Sequence, residues 1–159
     1  MSPNAEIELC FPGLTEGGYK LTSPKSGAYN CVAWAVGDTR AFWDDVRIRG
    51  RRVKGYYWPP GISADTLDGW KAVFALHNYS VCDSDAFDSQ FEKIAIYVQA
   101  NGEPSHVAIQ TGTGTWSSKL GKGCDIEHDT LDSLNGEEYG TVGAIMQRPC
   151  KNGKRVRSL

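Results

Sequence analysis

The sequence predicts an α+β domain in which helices precede a mostly antiparallel sheet. In the first half of the chain, apolar residues such as Leu67, Trp70 and Phe74 recur at helical spacing. The second half carries short β-branched runs, among them "KIAIYVQA" and "SHVAIQT", which are separated by the turn signal "NGEP". Because helical and strand patterns are segregated along the chain, we expect the helices to pack on one face of the sheet.

Length and composition favour one globular domain. The chain has 159 residues, of which 40% are hydrophobic and 23% are charged, and a chain of this length can bury a core of its own. No apolar run approaches the about 20 residues that cross a bilayer, and the N-terminus lacks a signal-peptide pattern. We therefore predict a single domain over residues 1–159, without membrane association, that is cytoplasmic or exported without a classical signal peptide.

The charge pattern gives little reason to expect nucleic acid as a partner. The net charge is -2, and only Arg47–Lys54 and the tail over residues 151–159 are basic. The aromatic residues and motifs that nucleic-acid readers use are missing around both segments. We interpret the first segment as a solvated loop and the second as a frayed terminus. The sequence does not predict an oligomeric state.

The first half predicts irregular structure followed by two helices. Residues 1–27 are rich in Gly, Pro and Ser and are expected to wrap around the core. The apolar run Val32–Val36 is typical of a buried helix, which Gly37 would close. An amphipathic helix is expected over Ala64–His77, because Ser63 is a suitable N-cap and apolar residues recur at helical spacing after it.

The second half predicts three strands. Lys93–Ala100, Ser105–Thr111 and Thr141–Arg148 are short and β-branched. The turn between the first two is of the kind that joins antiparallel strands, so the sheet is expected to be mostly antiparallel.

The five cysteines form no recognisable disulfide or metal-binding framework. They are widely spaced, odd in number and lack a C-x-x-C pair. A zinc site built from Cys124, His128 and His106 would lack a fourth ligand at a typical spacing. We therefore expect no metal and no cofactor.

Cys31, in "AYNCVAWAVGD", stands at the predicted start of the first buried helix. It could be a buried hydrophobe, one end of a crosslink, a metal ligand or a nucleophile. A helix N-terminus and a nearby imidazolium both lower the pKa of a thiol and make it nucleophilic at neutral pH. His106 is a polar residue at the start of an otherwise apolar strand, which suits the second requirement. We therefore expect Cys31 to be exposed, ionised and paired with His106.

The windows "YNCVAWA" and "SHVAIQTGTGTW" resemble the NlpC-type papain-like cysteine hydrolases, in which a His-Val-Gly-Ile strand follows the helix that carries the nucleophile. The chain as a whole also resembles a group of uncharacterised bacterial domains with a YNCxAWA motif, a likeness that brings no activity with it. The first resemblance implies a papain-like fold, with Cys31 as the nucleophile and His106 as the general base and acid.

Members of the hydrolase superfamily add a third polar group that orients the imidazole. The position that matches it here is Ser118, where the family more often has His, Asn, Asp or Glu, and His128 is an alternative from the following segment. The Cys31 backbone amide would hold the oxyanion, with Asn30 or Tyr29 as a second donor.

The function that the resemblance implies is that of a cysteine peptidase or amidase, which attacks an amide carbonyl with a thiolate. A peptide, glycopeptide or protein would be its substrate. A deamidase or acyltransferase on the same fold is an alternative, and so is an inactive module that binds peptides or cell-wall fragments. The aromatic residues expected to line the groove, although each could equally be core, are Trp34, Trp43, Tyr57, Trp58 and Trp116.

Overall fold

The computed structural model of the protein describes residues 3–23, 28–120 and 123–151. A seven-stranded sheet dominates it, and each neighbouring pair of strands in this sheet is antiparallel. The α+β class and the mostly antiparallel sheet are therefore confirmed. The elements in chain order are α1 (Pro3–Cys10), α2 (Leu14–Gly17), β1 (Tyr19–Ser23), α3 (Cys31–Val36), β2 (Phe42–Trp43), β3 (Arg47–Ile48), β4 (Arg51–Arg52), β5 (Tyr56–Tyr57), α4 (Leu67–Ala75), β6 (Ser80–Cys82), β7 (Phe91–Val98), β8 (Pro104–Gln110), β9 (Trp116–Lys119), β10 (Asp125–His128), a 3-10 helix (Leu131–Leu134) and β11 (Thr141–Pro149).

The strand order in the large sheet is β1-β10-β9-β8-β7-β11-β6. The central strands β7 and β8 are buried along most of their length. A strand that is covered on both faces needs apolar side chains at successive positions, which explains why "IAIYV" has no polar alternation.

Helices cover both faces of the sheet, so the expectation that they pack on one face is wrong. One core joins α3 and α4 to Ile96 and Val107, and we call it the helix-side core. A second core joins α1, α2 and the 3-10 helix to Tyr97 and Ala108, and we call it the terminal-side core. Adjacent residues of one strand thus enter different cores, because side chains alternate between the faces of a strand.

The N-terminal segment is more regular than the sequence predicts. Instead of an irregular wrap over residues 1–27, the structure has two short helices and the edge strand β1, which pairs with β10. Ile7, Phe11 and Leu14 are the apolar residues that this segment buries in the terminal-side core. Burial of these three side chains stabilises helices that are too short to be stable alone.

The two predicted central helices are present with different bounds. Asn30 caps α3, and Gly37 ends it in the left-handed conformation (φ 90°), as the sequence predicts. The second helix begins at Leu67 rather than Ala64, because the Thr66 side chain, not that of Ser63, accepts the capping hydrogen bond from Gly69.

The β8–β9 ladder is short, and this shapes the region around Cys31. Only two residue pairs are in register, Ile109 with Ser117 and Gln110 with Trp116. The first part of β8 therefore lies outside this ladder, and α3 packs against both strands there. Cys31 is the first residue of α3, and its sulfur lies against the backbone N–H of Val107 in this part of β8.

The basic segment Arg47–Lys54 forms a small hairpin from β3 and β4, with its arginine side chains largely exposed. The basic tail lies outside the described residues, apart from Lys151, which is exposed. Among the described helices, none has the length and apolar character needed to span a bilayer.

Candidate active site

The Cys31 thiol is buried rather than exposed. Its residue is 8% exposed, and burial raises the pKa of the thiol to about 11. The backbone N–H groups of Val107, Val32 and Cys31 itself oppose this shift, since they stabilise the thiolate. The sulfur thus lies against the backbone of β8, at the residue that follows His106.

His106 begins a chain of buried hydrogen bonds that crosses three strands. Its Nε2 lies 2.9 Å from Ser118 Oγ, and the same hydroxyl lies 2.7 Å from His128 Nε2. The Nδ1 of His128 lies 2.9 Å from the carbonyl oxygen of Thr130. All three side chains are fully buried. We call this chain the His–Ser–His relay.

The relay fixes where the protons lie. A carbonyl oxygen only accepts, so His128 Nδ1 must carry the proton that it donates to Thr130. Burial lowers the pKa of His128, so its ring is neutral and its Nε2 accepts from the Ser118 hydroxyl. Ser118 then accepts from the Nε2–H of His106.

His106 is therefore left with a lone pair on Nδ1. Burial is the largest cause that lowers the pKa of His106 well below its ordinary value, and the neighbouring His128 acts in the same direction. Within the described residues, Nδ1 is buried and has no hydrogen-bond partner. A neutral imidazole with an open, oriented lone pair has the form of a general base.

The expected thiolate–imidazolium pair is absent from the described structure. His106 Nδ1 accepts no hydrogen bond from Cys31, and the pKa shifts of the two groups favour a neutral thiol and a neutral imidazole. The reason is the burial of both groups, which disfavours the charged form of each. Strand alternation adds to this, because Cys31 belongs to the helix-side core and His106 points to the opposite face with Tyr97.

Tyr139 lies close to both groups, and no pattern in the sequence singles it out. Its ring stacks on His106 with centroids 4.2 Å apart and planes 2° apart. Burial raises the pKa of its hydroxyl, and the charge of Cys31 adds to this effect. Tyr139 is thus in contact with the imidazole and within electrostatic range of the sulfur.

A buried ion pair, Lys119 with Asp125, lies within electrostatic range of Cys31. The Nζ of Lys119 is 3.7 Å from Asp125 Oδ1 and 5.2 Å from the centre of the Tyr29 ring. The Tyr29 hydroxyl donates to Asp125 over 3.2 Å. Burial lowers the pKa of Lys119, while the charges of Asp125 and Cys31 act against this shift. Lys119 follows Ser118 on β9, so the two side chains point to opposite faces of the strand. This alternation is the one feature of the sequence from which the position of Lys119 relative to the relay could be predicted.

The predicted oxyanion donors have structural partners instead. The Asn30 Oδ1 accepts from the backbone N–H groups of Ala33 and Trp43, and its Nδ2 donates to the Trp43 carbonyl. Asn30 therefore ties α3 to β2, and one of its two amide N–H donors is engaged with the Trp43 carbonyl. The hydroxyl of Tyr29 is engaged with Asp125 in the same way.

Of the two alternatives for the predicted aromatic residues, groove or core, most of them belong to the core. Trp43, Trp58 and Trp116 are each less than 10% exposed, and Trp116 belongs to the terminal-side core, away from the other two. Trp34 is half-buried and stacks on Tyr29. Of these five residues, Tyr57, which is 43% exposed, presents the largest aromatic surface to solvent.

The cysteines and acidic residues of the described ranges form no cluster suited to a metal ion. No group of three or more His, Cys, Asp or Glu side chains there is close enough to hold one. Cys124 is buried in the terminal-side core, and His128 is engaged in the relay.

A family model described as a domain of unknown function, DUF7689, matches residues 20–147. The chain belongs to this family. No significant match was found among curated proteins or among solved structures. The part of the chain that matches DUF7689 includes Cys31 and every member of the relay.

Proposed function

We propose that this protein is a cysteine hydrolase, a peptidase or amidase, with an NlpC-type papain-like fold. In this proposal, Cys31 attacks an amide carbonyl and His106 is the general base. The observation that carries the proposal is the lone pair of His106 Nδ1, which the relay orients and leaves without a partner. A buried polar atom without a partner costs free energy, so its retention suggests a use in function.

The reaction would start from a neutral pair rather than from an ion pair. As the sulfur bonds to the carbonyl carbon, its proton moves to His106 Nδ1, and the imidazolium then protonates the leaving amine. Water then attacks the thioester carbonyl and gives a proton to the same Nδ1; the C–S bond breaks, the carboxylic acid leaves, and Nδ1 returns the proton to the sulfur. Through all steps Nε2–H stays bonded to Ser118, so the ring keeps one orientation.

Two features would stabilise negative charge on the sulfur once it develops. Three backbone N–H groups lower the pKa of the thiol, against the effect of burial. Lys119 lies within electrostatic range and is fully buried, so its ammonium group acts in a medium of low polarity.

The thiol and the imidazole must approach each other for the reaction. Catalytic hydrogen bonds are often long in an unliganded enzyme and tighten when substrate binds. The sulfur lies against the backbone of Val107, and Nδ1 belongs to the preceding residue, so the approach would require a local shift of α3 or of this part of β8. Tyr139, which covers the imidazole, would have to shift.

Trapping of an acyl-enzyme tests the proposal. The native protein would be incubated with activated esters and peptide amides at neutral pH, and intact mass spectrometry would detect a hydroxylamine-sensitive adduct. We expect one adduct at Cys31, no adduct in Cys31→Ser, and acylation slowed by at least about 100-fold in His106→Gln. Cys82→Ser, which changes a cysteine on the distant strand β6, is the control and should react like the native protein. Adducts only at other cysteines, or equal rates in His106→Gln, would refute the proposal.

The burial of Cys31 favours one competitor, an inactive module that binds peptides or cell-wall fragments. It predicts saturable peptide binding that is unchanged in Cys31→Ser, without any acyl adduct. If an adduct forms, the acceptor that resolves the thioester distinguishes hydrolysis from deamidation and acyl transfer.

A further inference from the structure

A cavity of about 310 Å³ lies at the end of β8, away from Cys31. The loop over residues 83–90, the turn between β8 and β9, and the start of the 3-10 helix enclose it. Its volume is at the lower end of the range for small-ligand pockets, which is about 300–1,000 Å³. The residues of its wall that matter here are Asp85, Phe87, Gln110, Trp116, Asp129 and Asp132.

The wall of this cavity is anionic. Asp85, Asp129 and Asp132 come from two different segments of the chain, and no lysine, arginine or histidine is among the lining residues. Three carboxylates around one concave surface attract a cation.

Gln110 adds a buried acceptor without a partner. The residue is 3% exposed, and its Nε2 donates to the Asp85 carbonyl oxygen over 2.8 Å. Because a carbonyl oxygen accepts only, this bond fixes which end of the amide is nitrogen and which is oxygen. The Oε1 at the other end is buried and, among the described residues, has no hydrogen-bond partner. An N–H donor of a ligand would satisfy it.

The apolar part of the wall distinguishes an organic cation from a metal ion. Phe87, which is 44% exposed, and the buried Trp116 border the same cavity. Aromatic rings attract ammonium and guanidinium groups through cation–π interactions, whereas Mg²⁺ and Ca²⁺ require a shell of oxygen ligands.

We propose that this cavity binds a guanidinium or alkylammonium group. Gln110 Oε1 accepts one of its N–H groups, the carboxylates balance its charge, and Phe87 and Trp116 contact its alkyl stem. A guanidinium, with five donors in one plane, can reach the amide oxygen and a carboxylate at the same time. The site does not depend on the proposed hydrolase, because neither Cys31 nor His106 lines the cavity.

The same cation could come from a free amine or from an arginine or lysine side chain of a peptide. Calorimetric titration of the native protein with agmatine and with N-acetyl-arginine amide distinguishes the two sources. Binding of both probes indicates a free cation, and binding of the second alone indicates a side chain. N-acetyl-citrulline amide has the same shape without the charge and is the matched control ligand. We expect it to bind at least about tenfold more weakly than the arginine compound.

Variants locate the site. Asp132→Asn should weaken binding by about fivefold, as expected for the loss of one exposed charge, and Gln110→Met should also weaken it. Asp83→Asn removes an exposed carboxylate from the loop that carries Asp85 but outside the cavity wall, so it should leave the affinity nearly unchanged.

Four results would overturn the proposal. The first is the absence of saturable binding for both cations, and the second is equal binding of the citrulline control. The third is an equal effect of Asp83→Asn and Asp132→Asn. Calcium chloride, titrated alone, is a further arm, and binding of Ca²⁺ without binding of either organic cation would also overturn it.

Discussion

Replacement of Ser118 by alanine tests the buried relay most strongly. The hydroxyl bonds to His106 Nε2 and to His128 Nε2, and the residue is fully buried. Alanine would leave two buried nitrogen atoms without partners. Each such group costs about 1–3 kcal/mol, so we expect the free energy of unfolding to fall by about 2–6 kcal/mol.

The assay is urea denaturation at pH 7.5, and the control is Ser117→Ala. Ser117 precedes Ser118 on β9, is 6% exposed and points to the opposite face. Because it makes no bond to either histidine of the relay, its replacement should cost less than about 1 kcal/mol. If Ser118→Ala is no more destabilising than Ser117→Ala, the relay does not contribute to stability and our assignment of its hydrogen bonds is wrong.

Three further predictions follow from the buried groups. Burial raises the pKa of the Cys31 thiol from its ordinary 9.0 to about 11. Iodoacetamide should therefore alkylate it about 100-fold more slowly at pH 8 than an ordinary exposed thiol. Site-resolved mass spectrometry measures this rate, and an alkylation rate that levels off below pH 9 would contradict the prediction. The pKa values of His106 and His128 are lowered in the folded protein, so the unfolded chain binds more protons than the folded protein below pH about 6.5. The free energy of unfolding should therefore fall on acidification, by at most about 1.4 kcal/mol per pH unit for each histidine. Urea titrations at pH 7, 6 and 5 measure this, and a free energy that does not change with pH would be evidence against buried neutral rings. Asn30→Ala removes the cap of α3 and both bonds to Trp43 and should lower the free energy of unfolding by about 2–3 kcal/mol. Asn30→Asp keeps the two acceptor bonds and should lower it less. Equal losses of stability in thermal unfolding would contradict the assignment of these hydrogen bonds.

The sequence predicts the parts of the fold where one local signal dominates. Gly37 marks the end of α3 because it takes the left-handed conformation, and β7, β8 and β11 follow from their β-branched runs. The strands β9 and β10 have no such signal, since "WSSK" and "DIEH" are polar although mostly buried. Their polar side chains satisfy one another across strands, a long-range effect that no local pattern reveals.

The sequence predicts which residues belong to the candidate site, but not how they are arranged in space. His106, Ser118 and His128 are each identifiable from the sequence, the last two as alternatives for one role. The structure joins them in one chain because Ile126 pairs with Ser118 in the β10–β9 register. Such a register depends on the whole sheet, and the burial that keeps the Cys31 thiol neutral depends on the packing of α3, so neither follows from spacing along the chain.

The aromatic residues illustrate a second limit of the sequence. A tryptophan can line a groove or fill a core, and composition does not distinguish the two. Here Trp43 and Trp58 donate their indole N–H groups to Asp38 and to the Ile62 carbonyl, respectively. Such internal partners allow a large amphipathic ring to be buried.

The proposed function depends most directly on the protonation of His106, a neutral base whose proton lies on Nε2 and whose Nδ1 carries no proton. Long-range ¹H–¹⁵N correlation spectra of the imidazole rings measure this directly, with His106→Gln to assign the signals. We predict the neutral Nε2–H form of His106 at pH 7, with no second proton until the pH falls well below 6.5. A proton on Nδ1, or a doubly protonated ring at pH 7, would contradict the account.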